Sequence, residues 1–441
     1  MLAVVVSRAD QASQRIGEHL LKLGEWDEHE DETRSDENGG GTYYRTDGVE
    51  LRAFEDLHLY LDGVAATFDD PEMLVFASRH SGDSGPLLTA HATGNFGPAE
   101  YGGHERSLAR AAPHALSVVR DALAANAPAE YETGIECTHH GPSTVGCPSL
   151  FVEVGSDEPQ WRDDAGAEAV ARAVLELRDV EPHRERTVVG FGGGHYAPRF
   201  DRVVTETDWD VGHIAADWSI DAMGDPHDSV AVIGKAFQAS GTEFALLDGS
   251  YPEIESVIED VGFETVSETF LRETTGVPLE LVERVERAIC SIDDGLRFGA
   301  NAEGYDDGLT VESLPAALLE EVNGIDGEAV IEAVSETAIA YETAENGTLV
   351  AGRVALSDRP SYRTIVEQLV SVLESKYDAV ELRADEIVAR REAFDPDIAR
   401  DAGIEDGPAF GRLASGESVE IDGKRIDPDD VRSARERHFP V

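Results

Sequence analysis

Leu150-Phe151-Val152-Glu153-Val154 and Thr187-Val188-Val189-Gly190-Phe191 are two short apolar runs, and between them Asp164 to Leu177 carries apolar residues at helical spacing. Strand, helix, strand in that order is the alternation from which an α/β sandwich is built. Working outward, strands are predicted at Leu2–Val6, Met73–Ala77, Leu87–Ala90 and Phe244–Leu247, and helices at Gln11–Leu23, Glu105–Ala124, Ser229–Ala239 and Glu253–Asp260. The alternation predicts an α/β fold, with a mixed, largely parallel sheet sandwiched by helices and ligands bound where loops leave the carboxyl ends of strands. Asp27 to Gly41 is acidic and glycine-rich with little apolar character, and is expected to be a mobile surface loop or insertion.

The character changes near Gly276. Of the 14 histidines, only His438 lies beyond it, so imidazole chemistry belongs to residues 1–276. Residues 277–441 are expected to form an α+β extension, with a helix over Tyr362–Leu373 and a hairpin turning at Asp422-Gly423. No tandem repeat or coiled-coil heptad is present.

The 89 Asp and Glu outnumber 36 Lys and Arg, giving a net charge of −53, and only Lys22, Lys235, Lys376 and Lys424 are lysines. A chain that is 41% hydrophobic and strongly patterned is not disordered. A folded protein coated with carboxylates fits a cytoplasm of molar salt. Such a charge normally opposes a polyanionic partner, but the Debye length falls to about 3 Å in molar salt, so an RNA partner remains compatible. No apolar run reaches the length needed to cross a bilayer, and the chain is expected in the cytoplasm, with neither membrane nor DNA as partner. Cys137, Cys147 and Cys290 form no close pair, so any metal is expected to be held mainly by His and carboxylates.

The most specific local signal is Glu136-Cys137-Thr138-His139-His140-Gly141-Pro142. Adjacent histidines on a strand face opposite ways, but the Gly-Pro break sets them at a loop mouth, where both can approach one site as zinc ligands or as a base. Arg79-His80-Ser81 and His91-Ala92-Thr93-Gly94-Asn95 follow predicted strands, giving two further imidazoles at strand ends. Gly190-Phe191-Gly192-Gly193-Gly194-His195 offers backbone N–H groups that could cradle a phosphate or oxyanion, or simply a tight turn. It has neither the Walker nor the Rossmann spacing. Glu153 lies within an apolar strand and must meet a metal, a histidine or an arginine. No Gly-x-Ser-x-Gly elbow is present, and Cys137 or Cys147 is a weak choice of nucleophile.

These elements, together with Phe151-Val152-Glu153-Val154-Gly155-Ser156, Gly194-His195-Tyr196-Ala197-Pro198 and Gly212-His213-Ile214, occur in an order that resembles the archaeal and plant type of D-aminoacyl-tRNA deacylase. The resemblance implies an α/β fold similar in outline to peptidyl-tRNA hydrolases and the phosphorylase/hydrolase group. It also implies hydrolysis of D-aminoacyl-tRNA to free D-amino acid and tRNA by a monomeric or weakly associating enzyme holding zinc, two ions per subunit. His80, His91, His139, His140 and His195 are then expected around the reaction centre. Metal is assigned among His80, His139, His140, His195, Glu136 and Glu153, the carboxylates serving as ligands or as orienters of ligands. Which histidine binds metal and which moves protons stays open. Substrate contacts are expected from Asn95, Gly192, Gly193, Gly194, Arg199 and His213. The family carries Lys-Tyr after Gly-His-Ile where this chain has Asp217-Trp218. Gly407 to Leu413 resembles a segment of ribonuclease Z without that enzyme's metal motif. The alternatives are a zinc peptidase or amidase, an esterase like peptidyl-tRNA hydrolase, or a non-catalytic RNA-binding protein.

Carboxylate crowding predicts that dilution of salt lengthens self-repulsion and loosens the fold. The melting temperature followed by circular dichroism should fall steeply from molar to dilute KCl; an unchanged value contradicts the salt-adapted reading.

Overall fold

Leu2–Ser7 (β1) is buried at every position, as a strand with neighbours on both edges and both faces covered must be. It lies in a computed structural model that describes every residue except Asp306, Asp307 and Asp422. The other strands of its sheet are, in chain order, Asp27–Asp31 (β2), Gly41–Thr46 (β3), Val49–Phe54 (β4), Met73–Arg79 (β5), Leu87–His91 (β6), Glu132–Ile135 (β7) and Ser149–Gly155 (β8). Their order across the sheet is β2-β3-β4-β1-β5-β8-β6-β7. The centre, β4-β1-β5-β8, is parallel, while β6 runs antiparallel to β8. A second sheet is parallel throughout, built from Thr187–Gly192 (β9), Asp210–Ala215 (β10), Phe244–Asp248 (β11) and Glu264–Thr265 (β12) in the order β10-β9-β11-β12.

Helix Gln11–Leu23 (α1) starts where predicted because the Asp10 carboxylate caps the N–H groups of Ala12 and Ser13. The helix expected from Glu105 begins only at Pro113 and runs to Asn126 (α2). Proline disfavours helical geometry in the residue before it, and the freed segment instead pairs Ser107–Leu108 with Gly94–Asn95. Helices Asp164–Glu176 (α3), Pro198–Glu206 (α4) and Val230–Ser240 (α5) cover the sheets. In the second sheet Gly190 is needed for packing, since a Cβ there would sit 2.7 Å from the Phe200 ring of α4.

The segment expected to be a mobile loop is instead largely an edge hairpin, β2 pairing antiparallel with β3. An edge strand needs few apolar residues, because one side faces water. Polar anchoring replaces them. Buried Glu50 lies 2.6 Å from both Arg45 and Arg52, and Arg52 also reaches Asp31 at 2.8 Å and lies over the Tyr43 ring at 4.1 Å.

Met1–Thr275 and Gly276–Val441 are separate compact units. Within the second, the antiparallel strands Leu296–Phe298, Ala340–Ala344, Leu349–Leu356 and Thr310–Ser313 form one sheet. Helices Ala316–Ser335 and Arg359–Glu374 pack on a core that includes Leu318, Val322, Ile365, Leu369 and Phe439. A three-stranded sheet of Ala379–Leu382, Glu386–Phe394 and Arg432–Pro440 completes an α+β unit. Val419–Ile421 pairs with Lys424–Ile426 as the expected hairpin, with Asp422 of its turn outside the described residues. Gly407 to Leu413 contributes to the helix Pro408–Ala414. Among the described residues no helix is long and apolar enough to cross a membrane.

Removing Arg52 leaves Glu50 buried beside Arg45 alone and unpins the hairpin. Arg52→Ala should cost about 3 kcal/mol, the scale of a broken buried ion pair, read as a lower denaturation midpoint and faster amide exchange in β2 and β3. Wild-type values would contradict the anchoring.

Candidate active site

Side chains two apart on a strand share a face, and the register of three strands decides which groups meet. Phe151 of β8 lies opposite both Phe76 of β5 and His91 of β6, and Glu153 lies opposite Ser78 and Thr89. Phe76, Phe151 and His91 therefore stack in a row, with ring centroids 4.6 Å apart for the first pair and 5.1 Å for the second. Glu153 comes next on that face and is 2% exposed. His80, just past the end of β5, brings Nδ1 to 3.6 Å from one Glu153 oxygen, and His91 Nε2 lies 3.8 Å from the other.

A second wall comes from the segment after β7, which bridges the two sheets. Cys137 N–H donates to His195 O at 2.8 Å and Thr138 N–H to Ile214 O at 2.9 Å, while His139 forms a parallel bridge with Thr93. His140 adopts a φ of 46°, leaving the extended conformation in which neighbouring side chains point apart. The two imidazoles thereby converge, with centroids 4.3 Å apart. Gly141 has no room for a side chain, its Cβ position lying 2.3 Å from Gly103 N. Both histidines line the same cavity, and the left-handed backbone at His140 turns them toward each other.

The third wall is delivered by the glycine run. Gly192 has a φ of 103°, and a Cβ there would fall 2.4 Å from Asp248 O. Gly193 accepts from Asp217 N–H at 2.9 Å and donates its own N–H to the Tyr251 hydroxyl. Close packing explains why both positions are glycine. Gly194 faces open space. Their product is the placement of His195, whose Nε2 lies 2.8 Å from Glu136.

Three other residues expected to contact substrate have partners within the protein. Arg199 is engaged by Glu268 at 3.0 Å and Asp248 at 3.4 Å, and donates to Leu247 O. His213 is fully buried, with Nδ1 3.0 Å from Thr138 Oγ1 and Nε2 2.8 Å from Ala109 O, and burial pushes it down to about 4. It braces the bridging segment. Asn95 is buried too, its amide donating to Gly102 O and His104 O, so it holds a loop instead of meeting ligand.

His80, His139, His140, Glu153 and His195 line one cavity of about 270 Å³. Glu136 is 1% exposed and lies within 3.0 Å of His80 Nδ1 and 3.7 Å of His139 Nε2. Burial opposes ionisation of both carboxylates, but the hydrogen bond from His195 and the close imidazole of His80 hold Glu136, and the nearby imidazoles of His80 and His91 hold Glu153, well below the usual range. Burial likewise opposes charge on His80, yet Glu136 and Glu153 outweigh it and push its pKa up to about 11. Burial and the charge of His91 push His140 down to about 4 and His139 well below its ordinary value.

Three imidazoles share one arrangement. His91, His139 and His140 hold Nδ1 against the carbonyls of Ala92, Cys137 and Gly141 at 3.0, 2.9 and 2.8 Å, which leaves Nε2 available in each, the usual geometry of a metal-ligating histidine. Ring nitrogens of these three lie within 4.8 Å of one another, as do ligand atoms of His80, Glu136 and His195. His91 Nε2 and Glu136 Oε1 are buried without an aligned hydrogen-bond partner, so the donor set suits a cation that satisfies both.

Two further side chains stand at the cluster: Cys137, read from sequence only as a weak choice of nucleophile, and Tyr196, not singled out there. Cys137 Sγ lies 3.6 Å from His195 Nδ1 and groups with His139 and His195; as a lone cysteine it carried no spacing signal. Tyr196 places its hydroxyl 3.3 Å from His80 Nε2, and its position beside His195 was the available clue.

Residues 67–266 match the family profile described as D-aminoacyl-tRNA deacylase. Proteins of that name from Natronomonas pharaonis and Haloarcula marismortui are 65% and 53% identical, each alignment covering 100% of both chains. One from Methanoregula boonei is 33% identical over 86% of this chain and 87% of its own. The crystal structure of a conserved protein of unknown function superposes with a TM-score of 0.56 at 30% identity, covering 62% of this chain and 98% of that one. With full-length relatives at this identity, the chain belongs to the D-aminoacyl-tRNA deacylase family.

Proposed function

We propose that this chain hydrolyses the ester joining a D-amino acid to the terminal adenosine of tRNA, releasing free D-amino acid and tRNA, and that the chemistry resides in Met1–Thr275. The observation that carries it is the cluster in which His91, His139 and His140 present Nε2 beside two buried carboxylates, in a chain related over its whole length to proteins named for this reaction.

Zinc fits the donor set, with two ions expected: one held by His91, His139 and His140 beside Glu153, the other by His80, Glu136 and His195. Zinc bound there supplies Lewis acidity, lowering the pKa of a water to about 7 and polarising an ester carbonyl. The chain's own part is positional and protonic. Ala92, Cys137 and Gly141 carbonyls fix the ring orientations through Nδ1–H. Glu136 orients His195, and Tyr196 steadies His80 from the other side. His139 and His140, kept neutral by burial, retain a lone pair that either ligates or accepts the proton of the attacking water. The ester leaves as a ribose hydroxyl, a good enough leaving group that no serine or cysteine nucleophile is required. The unit Gly276–Val441 is proposed to serve stability or tRNA engagement.

One assay series tests this. Purified protein in molar KCl should hydrolyse D-aminoacyl-tRNA far faster than L-aminoacyl-tRNA or peptides, lose activity on prolonged chelation, and regain it with zinc. Chain ending at Thr275, counted per folded molecule, should still cleave D-aminoacyl-adenosine. Full activity in verified metal-free protein overturns the metal assignment, and a folded truncation without activity on the adenosine ester overturns the site assignment.

A further inference from the structure

Tyr101 stands on the wall of the same cavity as His139, His140 and His195, yet it is 66% exposed. An isolated exposed tyrosine needs no explanation, but its backbone is held with unusual rigidity. Tyr101 O accepts from Gly141 N–H at 2.9 Å, one residue from His140. The buried Asn95 amide donates to Gly102 O at 2.9 Å and His104 O at 3.2 Å, and His104 N–H donates to Ser143 Oγ at 2.8 Å. Gly102 has a φ of 78°, and a Cβ on it would fall 2.1 Å from Leu59 O. The loop is thus locked to the segment that carries the two histidines while its aromatic ring is offered to solvent. Such a construction fixes the point from which the ring projects at the cavity wall.

On the deacylase reading, that ester hangs from a ribose, so the adenine lies about one sugar's width from the scissile carbonyl, at the cavity mouth. The chain's charge of −53 and its scarcity of lysine leave few phosphate contacts, and molar salt removes most of the benefit of those that form. Base stacking on an aromatic face does not depend on ionic attraction and is worth enough to anchor a nucleotide. We propose that Tyr101 is the stacking platform for the terminal adenine of the tRNA, positioned by Asn95. The base, common to every substrate, is a better occupant of this rim than the aminoacyl side chain, which varies and enters the cavity with the ester.

The test uses the full zinc-loaded chain in molar KCl, with Tyr101→Ala, Tyr101→Trp and, as control, Tyr60→Ala, a similarly exposed tyrosine outside the cavity wall. The probe is a trinucleotide ending in 2-aminopurine in place of adenine, whose fluorescence is quenched by stacking. Wild type and Tyr101→Trp should quench it, and Tyr101→Ala should not. In steady state, Tyr101→Ala should raise KM about tenfold or more with kcat within about twofold, equally for small and large D-amino acids, while Tyr60→Ala leaves both unchanged. An unchanged KM and quench in Tyr101→Ala overturns the proposal, as does a penalty that grows with the aminoacyl side chain. A wild type that quenches the probe without cleaving D-aminoacyl-tRNA defeats the deacylase reading and leaves the stacking result standing.

Discussion

Two carboxylates lie at 1% and 2% exposure, Glu153 on the wall of one small cavity and Glu136 behind its histidines, and the rest of the site follows from what that burial requires. An ionised carboxylate out of water is sustained only by positive charge and hydrogen bonds arranged around it. Here no arginine or lysine fills that role. Imidazoles do, His80 lying between the two carboxylates, His195 on Glu136 and His91 near Glu153. A cluster that needs cationic charge, but surrounds itself with neutral-capable nitrogen ligands, is suited to a divalent metal.

The second constraint is geometric. Two sheets meet at the bridging segment Glu136 to Pro142, which hydrogen-bonds to His195 and Ile214 on one side and pairs with Thr93 on the other. That tie brings His80, His91 and His195, from separate strand ends, within reach of Glu136. Buried Thr138 and His213 brace the junction from behind. Polar groups far from any ligand thus set the distances among those that face it.

Much of this was legible in the sequence. Apolar runs such as Leu2–Val6 and Leu150–Val154 announced buried strands, and Glu153, as the single charge in one of them, announced a polar partner. The five histidines of the cluster stood out because each follows a strand or a glycine break. What misled was context. Gly-His-Ile resembles a functional motif, yet His213 alternates into the core of β10 and never reaches solvent. Arg199 after the glycine run was expected to contact substrate, and the structure gives it two partners distant in sequence, Glu268 and Asp248. The acidic stretch after Asp27 looked unable to pack because the arginine that ties it down, Arg52 on Asp31, belongs to another strand. Long-range ion pairs leave no local periodicity to read.

The central claim is that the buried carboxylates and their imidazoles exist to hold zinc. Anomalous diffraction from zinc-equilibrated crystals, recorded on both sides of the zinc edge, tests it most directly. The account predicts peaks enclosed by His91, His139 and His140 and by His80, Glu136 and His195, at about 2.0–2.2 Å from the ligating nitrogen and oxygen atoms. Saturating zinc that produces no peak in this cavity, or only peaks on surface carboxylates, would contradict it.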